Sequence, residues 1–191
     1  MNRKKILWGI TGSVAASIYE ICKYEEEFDF QFVVTEHARH FLKNERQVEG
    51  IKNTPVIYFD SDMWRTPRGT LDPHYRKGDP VLHLDLADWC DVMVIAPLTV
   101  NTLGKMVNGI CDNLLLSTYF SLPQTKHIII SPIMNLNMWK NAAIQKNMDQ
   151  LRRWHCLQHA HDFSIISSEK GKFIDGSAVV PFDEIIKKLR H

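Results

Sequence analysis

No apolar run in this sequence approaches the about 20 residues that a membrane-crossing helix requires. The N-terminal Met1-Asn-Arg-Lys-Lys leads into only Ile6-Leu-Trp-Gly-Ile10, short of a secretory leader and without a small-residue cleavage site, so the cytoplasm is the expected compartment. Cysteine is sparse. Cys22, Cys90, Cys111 and Cys156 form no CxxC pair, which argues against both a disulfide framework and a zinc site, and no metal is expected. Charge of one sign is also missing: 23 Lys and Arg stand against 22 Asp and Glu, a formal net charge of +1. Such a chain has no global field to recruit nucleic acid or an anionic membrane, and neither partner is expected. Internal repeats and linkers are absent as well, so residues 1–191 read as a single domain, long enough to bury a core.

What the chain does have is apolar runs of strand length alternating with segments of helical period. Strands are expected at residues 5–10, 28–34, 56–59, 92–97 and 127–131. Helices are expected at 13–24, 37–43, 81–89, 103–122 with a break near Gly109, 138–154 and 182–190. Residues 60–79 read as a polar loop holding Pro67, Gly69, Pro73 and Gly78, and residues 162–180 as a polar tail. Nearly continuous apolar strands alternating with helices are what a parallel sheet covered on both faces requires. Right-handed crossovers then give an α/β, three-layer, doubly wound parallel sheet. Ligands of such sheets bind at the carboxyl ends of the strands.

Those ends carry a consistent chemistry. After the first strand comes Gly9-Ile-Thr-Gly12-Ser13-Val14, where glycine permits close backbone approach and Thr11 and Ser13 offer hydroxyls to an anion at a helix start. The same residues would serve equally as an ordinary helix cap. The stretch is neither the G-x-G-x-x-G fingerprint nor a Walker loop with its lysine, so the dinucleotide and ATP readings are weak. After the second strand comes Thr35-Glu36-His37, after the fourth Thr99-Val100-Asn101-Thr102, and after the fifth Ile133-Met134-Asn135. Several polar caps converging on one sheet edge suit a mononucleotide. His83, one of nine histidines, falls at a helix start after a long loop, and composition alone does not single it out.

Taken together, three ordered stretches resemble the homo-oligomeric flavin-containing cysteine decarboxylases. They are Thr11-Gly-Ser-Val-Ala-Ala16, then Asp79-Pro-Val-Leu-His83 running through Ala96-Pro-Leu-Thr-Val-Asn101-Thr-Leu-Gly-Lys-Met-Val-Asn-Gly109-Ile-Cys-Asp-Asn-Leu-Leu115, and Pro132-Ile-Met-Asn135-Leu-Asn-Met138-Trp139. The family includes phosphopantothenoylcysteine decarboxylase of coenzyme A biosynthesis and the peptidyl-cysteine decarboxylases of lantibiotic maturation. The resemblance implies a Rossmann-like flavoprotein that binds FMN and decarboxylates a substrate ending in cysteine. His83 then matches the catalytic base, and Asn101 matches the asparagine of Pro-Ala-Ser-Ala-Asn-Thr that holds the substrate carboxylate and helps hold flavin. Flavin contacts are implied for Gly12, Ser13, Val14, Thr35, Glu36, His37, Thr99, Val100, Asn101, Thr102 and Ile133. Substrate contacts are implied for Met134 and Asn135 and, in a C-terminal clamp, for Ser167 and Ser168.

One departure bears on the product. Phosphopantothenoylcysteine decarboxylases carry an Ala-Cys-Gly-Asp-type motif in the clamp, whose cysteine protonates an intermediate in the final reduction. The corresponding tail here, Phe163-Ser-Ile-Ile-Ser-Ser-Glu-Lys-Gly-Lys-Phe-Ile-Asp-Gly176, has no cysteine, as in the lantibiotic enzymes. The reaction is therefore expected to stop at the enethiol. The resemblance also implies a homo-oligomer, trimeric or dodecameric, with FMN between subunits. The alternative is a non-catalytic regulatory or mixed-site subunit of the phosphatase-inhibitor type, against which the presence of both His83 and Asn101 speaks.

Overall fold

The computed structural model describes residues 3–42, 55–64, 77–157, 163–165, 173–174, 177–178 and 180–191. Its centre is a six-stranded sheet, parallel throughout, made of β1 (Lys4–Ile10), β2 (Phe28–Val34), β3 (Val56–Phe59), β4 (Val92–Leu98), β5 (His127–Pro132) and β6 (Phe163–Ile165). The strand order is β3-β2-β1-β4-β5-β6. The chain thus winds outward from β1 in one direction, then returns to β4 and winds outward in the other. The crevice that binds ligands in such sheets lies at this reversal, beyond the carboxyl ends of β1 and β4.

Both faces of the sheet are apolar because both are covered. Ile6, Trp8 and Ile10 of β1 share one face with Phe28, Phe30 and Phe32 of β2 and Val92, Val94 and Ala96 of β4. They pack under α1 (Tyr19–Cys22) and α8 (Phe182–Leu189) through Ile21, Cys22, Ile185, Ile186 and Leu189. Leu7, Val33, Met93, Ile95, Ile128 and Ile130 face the other way. There they meet α3 (Leu82–Trp89), α4 (Val100–Val107), α5 (Leu114–Ser121) and α7 (Ala142–Leu157) through Leu86, Leu103, Met106, Leu115, Met148 and Leu151. Full burial of each such side chain contributes about 1.5–3 kcal/mol. Trp8 is fully buried, and its indole N–H finds the carbonyl of Ala96 at 2.7 Å, which removes the penalty of burying a lone donor.

Two helix expectations need correction. The helix expected over residues 13–24 shrinks to α1: Ser13 Oγ accepts from Ala15 N at 3.2 Å and Ser13 O from Ala16 N at 3.1 Å, a local turn that competes with helix at this point. Ser17 Oγ then accepts from Glu20 N at the real start. The break expected near Gly109 within residues 103–122 is present: α4 and α5 are separated where Gly109 takes φ +68°, a left-handed conformation that glycine reaches without strain. The helix expected over 138–154 is likewise divided into α6 (Leu136–Trp139) and α7. The tail adds β6 to the sheet and holds a small antiparallel pair, β7 (Phe173–Ile174) with β8 (Ser177–Ala178). Among the described residues no helix is long and apolar enough to cross a membrane.

Candidate functional site

At the carboxyl edge, β1 and β4 are joined by one side chain. Thr11, 1 % exposed, donates its hydroxyl proton to Pro97 O at 2.7 Å and accepts from Thr99 N at 2.9 Å. Thr99 in turn caps α4, its Oγ1 lying 3.2 Å from Thr102 Oγ1 and 3.5 Å from Thr102 N. Thr35, also buried, directs its hydroxyl to Ile10 O at 3.4 Å. The hydroxyl protons of Thr11 and Thr35 therefore go to backbone carbonyls at the strand ends, so an anion at this edge calls for further donors. Sequence reading offered Thr11 to the ligand; its burial turns it inward.

Backbone amides remain for that purpose. Among the described residues nothing accepts from the N–H groups of Gly12, Ser13 or Val14, while the Ser13 hydroxyl, which accepts from Ala15 N, keeps its proton to donate. A tight turn of unclaimed N–H groups is an anion-binding concavity. Its shape depends on Gly12, because a Cβ there would lie 2.8 Å from His37 Cβ and 3.2 Å from the His37 carbonyl carbon. The turn thus rests directly on α2 (Glu36–Arg39), whose N-cap residue, Thr35, hangs from Ile10 O by its N–H at 3.1 Å. Val14, 73 % exposed, stands out from this turn as a bare apolar surface.

The remaining site candidates sit in or beside helix starts on the same edge. Thr99, Val100, Asn101 and Thr102 open α4, with Asn101 exposed in its first turn. Ile133 hangs by its N–H from Leu98 O at 3.0 Å, and Ile133 and Met134 are buried, so they form floor beneath the edge. Asn135 is exposed and caps α6, its Oδ1 accepting from Met138 N at 2.9 Å, which leaves the Nδ2 end to donate outward. His83, half-buried, is the second residue of α3. That helix descends from the carboxyl edge to deliver the chain to the start of β4, so its first turn belongs to the same edge. The ends of β2, β1, β4 and β5 span about 15 Å at the usual strand spacing, room for one mononucleotide laid across them. Ser167 and Ser168 lie outside the described residues.

Of the other reactive groups, burial pushes the Cys22 thiol up to about 12 and the Cys90 thiol up to about 11. Neither supplies a thiolate at neutral pH. Among the described residues no group of three His, Cys, Asp or Glu side chains is placed to hold a metal ion. The group that sequence reasoning missed is Asp60, directly after β3, whose half-buried carboxylate accepts N–H groups from two different helices. Within a polar stretch it carries no periodic signal.

The profile of the Flavoprotein family matches residues 1–190. The chain belongs to that family. A phosphopantothenoylcysteine decarboxylase of Oryza sativa subsp. japonica is 33 % identical over 152 residues, which is 78 % of this chain and 64 % of the rice protein. The match therefore spans somewhat less than two thirds of that relative. A solved phosphopantothenoylcysteine (PPC) decarboxylase, a cysteine-to-serine variant complexed with pantothenoylaminoethenethiol, is similar over 99 % of this chain and 97 % of its own, with a TM-score of 0.78 and 29 % identity. The FMN-dependent cysteine decarboxylase SpaF is similar over 97 % and 94 %, with a TM-score of 0.70 and 26 % identity. Both branches anticipated from the motifs are thus represented among this flavoprotein's relatives, and the Rossmann-like parallel sheet is the family's fold.

Proposed function

We propose that this flavoprotein is a cytoplasmic FMN-dependent decarboxylase of a substrate ending in cysteine, of the 4′-phosphopantothenoylcysteine kind or a peptide C-terminus, and that it releases the enethiol. The observation that carries the reading is the unclaimed amide turn at residues 12–14, at the reversal point of the sheet, flanked by helix starts that present Asn101, Asn135 and His83. The amides and the Ser13 hydroxyl fit a phosphate. FMN bound there would supply the electron sink, taking a hydride equivalent from the carbon that bears sulfur.

The chain's own residues bind, orient and move protons. His83 carries an imidazole, the side chain best suited to accept the thiol proton and pass it on. Asn101 donates to the carboxylate from the first turn of α4, where the helix end also favours negative charge. Asn135 offers its Nδ2 from the N-cap of α6 to orient the substrate's amide. Oxidation of the CH2–SH unit makes a C=S bond beside Cα. Loss of CO2 from Cα then leaves an electron pair that delocalises into the enethiolate.

Release as the enethiol is supported by the missing clamp cysteine and by the high pKa values of Cys22 and Cys90. It is also supported by the relative in which a cysteine is replaced by serine, which is complexed with an aminoethenethiol. The exposed Val14, Leu136 and Met138 near this edge support a homo-oligomer in which a second copy covers them. Anaerobic incubation of FMN-loaded protein with each substrate should bleach the flavin and yield product lighter by CO2 and two hydrogens. A product lighter by CO2 alone overturns the enethiol step, and unchanged substrates with both classes favour the regulatory reading.

A further inference from the structure

Asp60 holds two elements that are distant in the chain. Its Oδ2 accepts from Glu36 N, the first residue of α2, at 2.9 Å, and its Oδ1 accepts from Leu114 N, the first residue of α5, at 3.3 Å. Both are first-turn amides that the helices themselves cannot satisfy. Thr35 provides α2 with no side-chain cap, and Asn113 caps α5 further in, at Leu116 N, 2.9 Å. Each helix then leads to a different part of the edge. The backbone of α2 abuts Gly12 in the amide turn, through His37. In turn, α5 packs on α3, the helix of His83, and on the 3-10 turn at Asp60–Trp64. A half-buried carboxylate is a costly way to join two loops, since burial together with Glu36 and Asp112 nearby opposes its charge, which the two N–H groups favour. Asp62, two residues on, offers an internal contrast: its Oδ2 accepts from Phe59 N at 2.7 Å, within its own turn.

We propose that Asp60 is a positioning residue of the flavin site, bridging the first turns of α2 and α5 so that the amide turn at Gly12 and the helix bearing His83 keep a fixed relation. This rests on the FMN reading above. The full chain is compared with Asp60→Ala, Asp60→Asn and Asp62→Asn by amide hydrogen exchange, by FMN titration well below each melting temperature, and by circular dichroism of the bound flavin. Loss of two charge-assisted backbone hydrogen bonds sets the scale: Asp60→Ala should weaken FMN by about ten- to a hundredfold and alter the flavin bands. Asp60→Asn, which keeps one acceptor, should fall between, and exchange at Glu36 and Leu114 should quicken in both. Asp62→Asn should bind FMN as the parent does. If Asp60→Ala does not fold, Asp60→Asn decides alone.

FMN affinity and flavin bands unchanged by Asp60→Asn would overturn the proposal, even with a lower melting temperature. Equal loss in Asp62→Asn would overturn it too, by showing that only the stability of the turn matters. If the parent takes up no FMN, it is the proposed function that fails. Amide exchange then reports on the bridge alone, and protection of Glu36 and Leu114 that survives Asp60→Asn refutes it as well.

Discussion

Gly12→Ala is the substitution that most sharply joins the packing of this protein to its chemistry. The new Cβ would lie 2.8 Å from His37 Cβ and 3.2 and 3.3 Å from the His37 carbonyl carbon and oxygen. Carbon atoms pack at about 3.5–4.0 Å, so one side must give by about 1 Å. Helix α2 cannot retreat: Thr35 N is tied to Ile10 O at 3.1 Å, Glu36 N to Asp60 at 2.9 Å, and Ala38 is fully buried. The displacement therefore falls on the exposed turn at residues 12–14. Overpacking of this kind costs about 1–3 kcal/mol. In the free protein the turn can relax outward, so the cost reappears when a ligand requires the original geometry, and FMN affinity should fall about five- to 150-fold. Quenching of flavin fluorescence on titration with apoprotein measures this, with thermal melting followed alongside. An affinity within about twofold of the parent would show that the turn does not grip the cofactor; a lower melting temperature would not rescue the reasoning.

Four further outcomes are expected. Tyr119→Phe removes a buried hydrogen bond of 2.9 Å to His155 Nε2, which should cost about 1–3 kcal/mol and lower the melting temperature by several degrees; no change would mean that the Tyr119–His155 pair contributes nothing. Ser131 is fully buried and among the described residues its hydroxyl has no partner, so Ser131→Ala should raise the chemical-denaturation midpoint, and a lowered midpoint would refute that accounting. Cys90 stays protonated in the fold up to about 11. Because an unfolded thiol ionises near about 8.5, its contribution is complete below that pH and is lost as pH rises toward the folded value, by up to about 1.4 kcal/mol per pH unit; the slope of stability against pH should flatten in Cys90→Ala. Asn101→Asp separates fold from function by sign: an acidic residue in the first turn of α4 should stabilise the helix by about 0.3–1 kcal/mol while repelling the substrate carboxylate. A kcat/KM that survives this change would remove Asn101 from the carboxylate site.

The elements that could be read from sequence were those whose signal is local. β2 and β3 run over the residues expected, and the remaining strands of the first five differ only at their ends, because a strand buried on both faces is an uninterrupted apolar run between polar breaks. The helix after β1 could not be read so easily. Alanines and Ser13 suggest a helix start, but Ser13 turns the chain with its own side chain and the true start waits for Ser17. β6, β7 and β8, of two or three residues each, are too short to show any period. The carboxyl edge followed from topology alone, whereas the use of its hydroxyls did not. Thr11 looks like a ligand in sequence and is a fastener in space, Thr35 directs its hydroxyl to Ile10 O, and Asp60 looks like loop polarity and joins two helices.

This division of labour bears on the proposed reaction. With the Thr11 and Thr35 hydroxyls and the Asp60 carboxylate bonded within the fold, α4 and α6 present neutral amides, Asn101 in the first turn of α4 and Asn135 at the N-cap of α6. A carboxylate that is to depart as CO2 loses its charge along the reaction, so a fixed cation beside it would stabilise the ground state more than the transition state and slow the step. An amide donor orients the group at far smaller ground-state cost, and the charge that does develop moves toward carbon and sulfur. On the proposed reading, then, asparagine at position 101 is a choice of weak binding where strong binding would be counterproductive, and an Asn101→Lys protein should hold substrate more tightly yet turn it over more slowly than the parent.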